Sequence, residues 1–72
     1  LITSEDVGVG GTVIKDETGY TVAHVQPMEF DPLTPVLVSL KNYDVYANLS
    51  VEETEALIDA LNLALMALGM GE

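Results

Sequence analysis

Val36-Leu-Val-Ser-Leu-Lys-Asn-Tyr-Asp-Val-Tyr-Ala-Asn-Leu-Ser-Val-Glu-Glu53 decides the fold, because the hydrophobic period changes within it. Residues 36–41 alternate, with Val36, Val38 and Leu40 on one side, and residues 44–49 alternate again with Val45, Ala47 and Leu49. A tight turn at Asn42 and Tyr43 brings the two apolar sets together, pairing Leu40 with Val45, Val38 with Ala47 and Val36 with Leu49. It also sets Lys41 opposite Asp44, an opposite-charge pair at the hairpin mouth. Tyr43 is unusual in a turn that usually takes glycine. Ser50-Val51-Glu52-Glu53 is then a capping box: the Ser50 hydroxyl accepts from the Glu53 backbone, the Glu53 carboxylate reaches back, and acids suit the positive helix end. The period moves to that of a helix over 51–68, stopped by a left-handed Gly69 and roughly 27 Å long.

Towards the N-terminus, 27–35 carries Pro27, Pro32 and Pro35. Proline cannot donate to a sheet ladder and biases its predecessor away from helix, so this segment is a connection. Residues 12–15 and 20–26 are strand-compatible on either side of Asp16-Glu17-Thr18-Gly19, which predicts a first hairpin. Pairing Lys15 with Tyr20 sets Val13 against Val22 and Ile14 against Thr21. Residues 1–11 contain Gly8, Gly10 and Gly11, a density that leaves few side chains to pin a register, and they are expected to be a mobile lead-in. No internal repeat or low-complexity tract divides the chain, and residues 1–72 are expected to form a single domain. The expected fold is α+β: an antiparallel sheet of about four strands, as two β-hairpins, with one C-terminal helix packed on one face.

The helix carries more apolar surface than one sheet face can cover. Leu57, Leu61, Ala64, Leu65 and Leu68 form a stripe at core spacing, and Glu52, Glu55, Asp59 and Asn62 form a narrow polar stripe elsewhere. Ala56, Ala60, Leu63, Ala67 and Met70 make a further apolar row, and no polar side chain follows Asn62 until Glu72. This row is expected to pack helix to helix between subunits, its alanines allowing close approach, rather than against the proline loop of the same chain. A homo-oligomer, most simply a dimer, follows from the size as well. A 72-residue chain with no cysteine and no zinc ligand set has neither of the usual staples of small folds.

Charge narrows the partners. Twelve acids face only Lys15 and Lys41, for a net charge of -10, so phosphate backbones and anionic membranes are disfavoured and proteins remain. No apolar run reaches a membrane span, because Asp59 and Asn62 interrupt the helix, and no basic n-region announces a secretory signal. The expected location is cytoplasmic.

No catalytic, cofactor-binding or metal residue is assigned. Glu52 and Glu55, or Glu55 and Asp59, share a helix face, but no second element supplies a nucleophile or base, and a solvated acidic N-terminal turn accounts for them. His24 stands alone, without further ligands at definable spacing. Asp16-Glu17-Thr18-Gly19 lacks the alternating oxygens of a calcium loop, and the N-terminal glycines lack both the Gly-Lys-Ser/Thr and the helix of a phosphate cradle. Met28, Phe30 and Leu33 give the proline loop the apolar content of a recognition loop, although Phe30 is expected to anchor the connection onto the core.

The ending Tyr46-Ala-Asn-Leu-Ser-Val-Glu-Glu-Thr-Glu-Ala-Leu-Ile-Asp-Ala-Leu-Asn-Leu-Ala-Leu65 resembles the strand-to-helix ending of small uncharacterised domains from actinobacteria and their phages, in which Leu-Ser/Thr-x-x-Glu-Ala precedes a leucine helix. The resemblance covers about a third of the chain and implies a cytosolic accessory protein, with no site residues carried over. The expected function is therefore a small acidic protein-interaction or regulatory module that self-associates through Ala56, Ala60, Leu63, Ala67 and Met70. The alternatives are an acidic nucleic-acid mimic, whose stripe of Glu52, Glu55 and Asp59 fills a basic groove, and a small ligand-binding protein or enzyme.

Overall fold

The segment that decides the fold does so in the expected register. In the computed structural model, which describes residues 1–70, Val36 pairs with Leu49, Val38 with Ala47 and Leu40 with Val45. Asn42 and Tyr43 take φ of 56° and 69°, as a tight hairpin turn requires, and Asp44 N–H donates to the Lys41 carbonyl at 3.1 Å. The preceding strand helps to hold the turn: Lys41 N–H donates to Val22 O at 3.2 Å and Asn42 N–H to Thr21 O at 2.7 Å. The Tyr43 ring lies 5.5 Å from the His24 ring. Lys41 and Asp44 face each other without an ion pair; among the described residues the one ion pair joins the Leu1 amino group to Glu17 at 3.9 Å.

The sheet has five strands, one more than expected: β1 (Ile2–Asp6), β2 (Thr12–Asp16), β3 (Thr21–Pro27), β4 (Val36–Leu40) and β5 (Val45–Leu49). They form an antiparallel meander in the order β1-β2-β3-β4-β5, followed by one helix, α1 (Val51–Ala67). The architecture is thus α+β. The additional strand arises where a mobile lead-in was expected. The Asp6 carboxylate accepts from Gly8 N–H at 2.8 Å, Val7 N–H donates to Gly11 O at 2.7 Å, and a single 3-10 turn, Gly8–Gly10, carries β1 back along β2. Gly11 makes this possible. At φ 92° and ψ −149° it adopts a backbone open to glycine, and a Cβ there would sit 2.0 Å from the Val25 carbonyl oxygen of β3.

The β2–β3 hairpin differs from expectation in register. Ile14 pairs with Ala23 and Val13 with His24, and a bulge follows, so that Lys15 pairs with Thr21 rather than with Tyr20. The cause is the Asp16 side chain. Its Oδ1 accepts from the Thr18 hydroxyl at 2.6 Å, Thr18 N–H at 2.9 Å and Tyr20 N–H at 3.2 Å, drawing Tyr20 into a loop one residue longer than Asp16–Gly19. The extra residue on β3 is the bulge.

The expected packing of the helix on a sheet face is overturned. No residue of α1 is buried, and the strand it meets most is β5, from which it leaves. Among the described residues no apolar side chain is buried at all; the most enclosed side chains are Thr21 and Ser39, each 5% exposed. The radius of gyration, 13.2 Å, exceeds the ~11 Å of a compact chain of this length.

Candidate interaction surface

The surface is built from two elements that the chain leaves uncovered. Helix α1 forms because its N-terminus is fully capped: Glu53 N–H donates to Ser50 Oγ at 3.1 Å, and Ser50 N–H donates to Glu53 Oε1 at 2.8 Å. Thr54 Oγ1 adds a bond to the Ser50 carbonyl at 2.8 Å. The other end closes as expected at Gly69, whose φ is 74°. Gly69 N–H donates to Met66 O and Met70 N–H to Leu65 O, both at 2.9 Å, the paired bonds of a Schellman ending. The helix is therefore well terminated without help from packing.

Its apolar residues face outward on all sides. In the stripe expected to cover the sheet, Leu57, Leu61, Leu65 and Leu68 are 40–73% exposed. Ala56, Ala60, Leu63 and Ala67 run along α1 as a continuous exposed row. Met70, the fifth member, stands beyond the left-handed Gly69 and so past the helix proper, and it too is exposed. Glu52, Glu55 and Asp59 run exposed beside this row, on the side of the helix opposite Leu57, Leu61 and Leu65, and none of them meets a Lys or Arg within ion-pair distance.

The second uncovered element is the sheet face made by Ala23 and Val25 of β3, Val36, Val38 and Leu40 of β4, and Val45, Ala47 and Leu49 of β5. Their pairings place them on one side, with no charged residue among them. The other side is more polar, carrying His24 and Gln26 of β3, Ser39 of β4 and Asn48 of β5 beside Leu37 and Tyr46. There His24 Nε2–H donates to the Gly10 carbonyl at 2.6 Å, tying the 3-10 turn to β3.

The proline loop does not anchor the core. Phe30 is 86% exposed and Leu33 81%, so the expected anchoring role of Phe30 is overturned, while Met28 is half-buried. The loop is braced from within: Met28 N–H donates to Pro35 O at 2.7 Å, and Asp31 accepts from Thr34 N–H and from its hydroxyl. Beside it lies an open cleft of about 450 Å³ lined by Gly8, Gln26, Pro27, Glu29 and Phe30. Among the described lining residues Glu29 is the titratable one.

Among the described residues no three His, Cys, Asp or Glu side chains gather at one point. No described helix is long and apolar enough to cross a membrane. Donation from the Thr18 hydroxyl, against an opposing effect of desolvation and with lesser help from backbone N–H groups, holds the Asp16 carboxyl below the ordinary 3.8. Its bonds brace a hairpin loop and point at no ligand. The apolar sheet face is the feature that the sequence assigns to the core and that α1 does not cover: Leu40, Val45 and Ala47 are exposed, and Ala23, Val25, Val36, Val38 and Leu49 are half-buried. Its alternation was visible in 36–49, but not the lack of cover. No protein-family model matches the chain, and neither a curated protein nor a solved structure matches it.

Proposed function

We propose that the chain is a small acidic protein-interaction or regulatory module, without catalytic activity, that works as a homo-oligomer joined through its C-terminal helix. The observation that carries this reading is the helix itself. Past Asn62 it is apolar on every side, and no part of it is buried. A helix of that composition belongs in an interior. The row Ala56, Ala60, Leu63 and Ala67 offers small side chains at close spacing, suited to near approach of a second helix, with Met70 beside its end. The acids Glu52, Glu55 and Asp59 flank the row and stay at the rim of such an assembly, where they keep it soluble.

The test is molar mass by light scattering over a concentration series, with Ala60→Glu and Ala67→Glu introduced together. A mass of twice the chain or more, falling to one chain in the variant with its far-UV spectrum retained, supports the reading. A folded single chain at every concentration overturns it.

A further inference from the structure

We propose that α1 of one copy lies across the apolar sheet face of a second copy and receives that copy's helix in return, an exchange of helices within a two-fold dimer. This rests on the self-association proposed above and names the surface that each helix meets. The hinge is the first reason. Between β5 and α1 stands Ser50 alone, extended at φ −72° and ψ 170° and fixed as the N-cap by its bonds with Glu53. Connections that turn a chain between strand and helix in packed units commonly take about 2–6 residues. With one residue the helix is carried away from its own sheet, and a hinge this short favours exchange over closure.

The second reason is that each chain carries both halves of one interface. Leu57, Leu61 and Leu65 lie along one side of the helix, and Val25, Val38 and Ala47 cross the middle of the sheet face. Neither set contains a charge. Two copies each bearing a net charge of -10 repel one another, so an assembly that joins uncharged faces and leaves the acids outside is the one electrostatics permits.

Area supplies the third reason. The accessible surface is 5516 Å², about 1,200 Å² above the roughly 4,300 Å² that size scaling gives a compact monomer of this mass. Hiding that excess on both copies removes about 2,400 Å² in all, within the range of obligate homodimers.

The chain has no cysteine, so introduced thiols report without background. A Val38→Cys chain and a Leu61→Cys chain are refolded together, oxidised gently and separated without reductant. Exchange predicts that they join roughly 10-fold faster than a Leu33→Cys chain joins Leu61→Cys, because only the first pair is held at high effective concentration. A dimeric mass without preferential 38-to-61 joining, but with Ala60→Cys chains readily joining each other, overturns the exchange and leaves self-association standing. A single chain at all concentrations removes both. As a second variant, Gly-Asn-Gly inserted between Leu49 and Ser50 gives the helix room to close on its own sheet. Conversion to a monomer with unchanged helical signal supports the proposal, and an undiminished dimer overturns it.

Discussion

Replacing Gly11 with alanine tests the account of how β1 joins the sheet, and two other glycines serve as controls. Gly8, Gly11 and Gly19 have φ of 71°, 92° and 89°, so each substitution places a side chain in left-handed backbone, at a cost of about 1–2 kcal/mol. They differ in space. A Cβ at Gly8 or Gly19 meets nothing within 4 Å, whereas at Gly11 it would lie 2.0 Å from Val25 O, 2.7 Å from Gln26 Cα and 2.9 Å from Val25 C. Ordinary contact needs about 3.5 Å, so β2 and β3 must separate there by roughly 1.5 Å. That displacement takes a ladder hydrogen bond of ordinary length past its limit, and two such losses at about 1 kcal/mol each join the backbone cost. Gly11→Ala is therefore expected to destabilise by about 3–4 kcal/mol, against about 1–2 kcal/mol for Gly8→Ala or Gly19→Ala. Urea denaturation followed by far-UV circular dichroism, at one fixed protein concentration, reads the difference. If Gly11→Ala unfolds within 1 kcal/mol of its two controls, the close approach of β2 to β3 is wrong.

Ser50→Ala removes the acceptor for Glu53 N–H and should cost about 1 kcal/mol; combined with Glu53→Ala, the loss should fall short of the sum of the two, as a double-mutant cycle will show. Asp16 has a folded-state pKa below its unfolded value, so its contribution is fully present above the unfolded value and disappears as pH falls through the folded one. The chain should therefore exceed Asp16→Asn in stability at neutral pH and lose that advantage below about pH 4, and an advantage persisting at pH 2 would contradict the carboxylate's role. Phe30→Ser should change stability by less than about 0.5 kcal/mol, because the ring is already in water; a loss several times larger would restore the anchoring role that exposure denies it.

Legibility in the sequence followed the side chains. The β4–β5 register was readable because alternation, turn residues and apolar sets all agreed, and the capping box and the Gly69 stop were readable because each depends on residues a few positions apart. The β1–β2 connection was not, since it is pinned by backbone bonds around Gly11 and one Asp6 carboxylate, while the local composition shows only glycine. Asp16 misled in a related way: a four-residue loop over Asp16–Gly19 and one that its carboxylate extends to Tyr20 suit the same letters, and the choice moves the β2–β3 register. The apolar character of the helix was readable in the sequence, but not that its leucine stripe would stay off the sheet. Periodicity cannot reveal whether cover for that stripe comes from the same chain, and the one-residue hinge that bears on it is a matter of connection length.

The two rims of the meander are unlike. β1 presents Glu5 and Asp6 along one border, and charged borders resist further strands. β5 presents Val45, Tyr46, Ala47, Asn48 and Leu49, with no charge anywhere. Were two copies to add to each other along β5, antiparallel and about a two-fold axis, the joined sheet would end in β1 on both sides. Growth would stop there, because the only borders left are acidic and mutually repellent. In that arrangement the polarity of the meander would act as a terminator, since one border joins and the other repels.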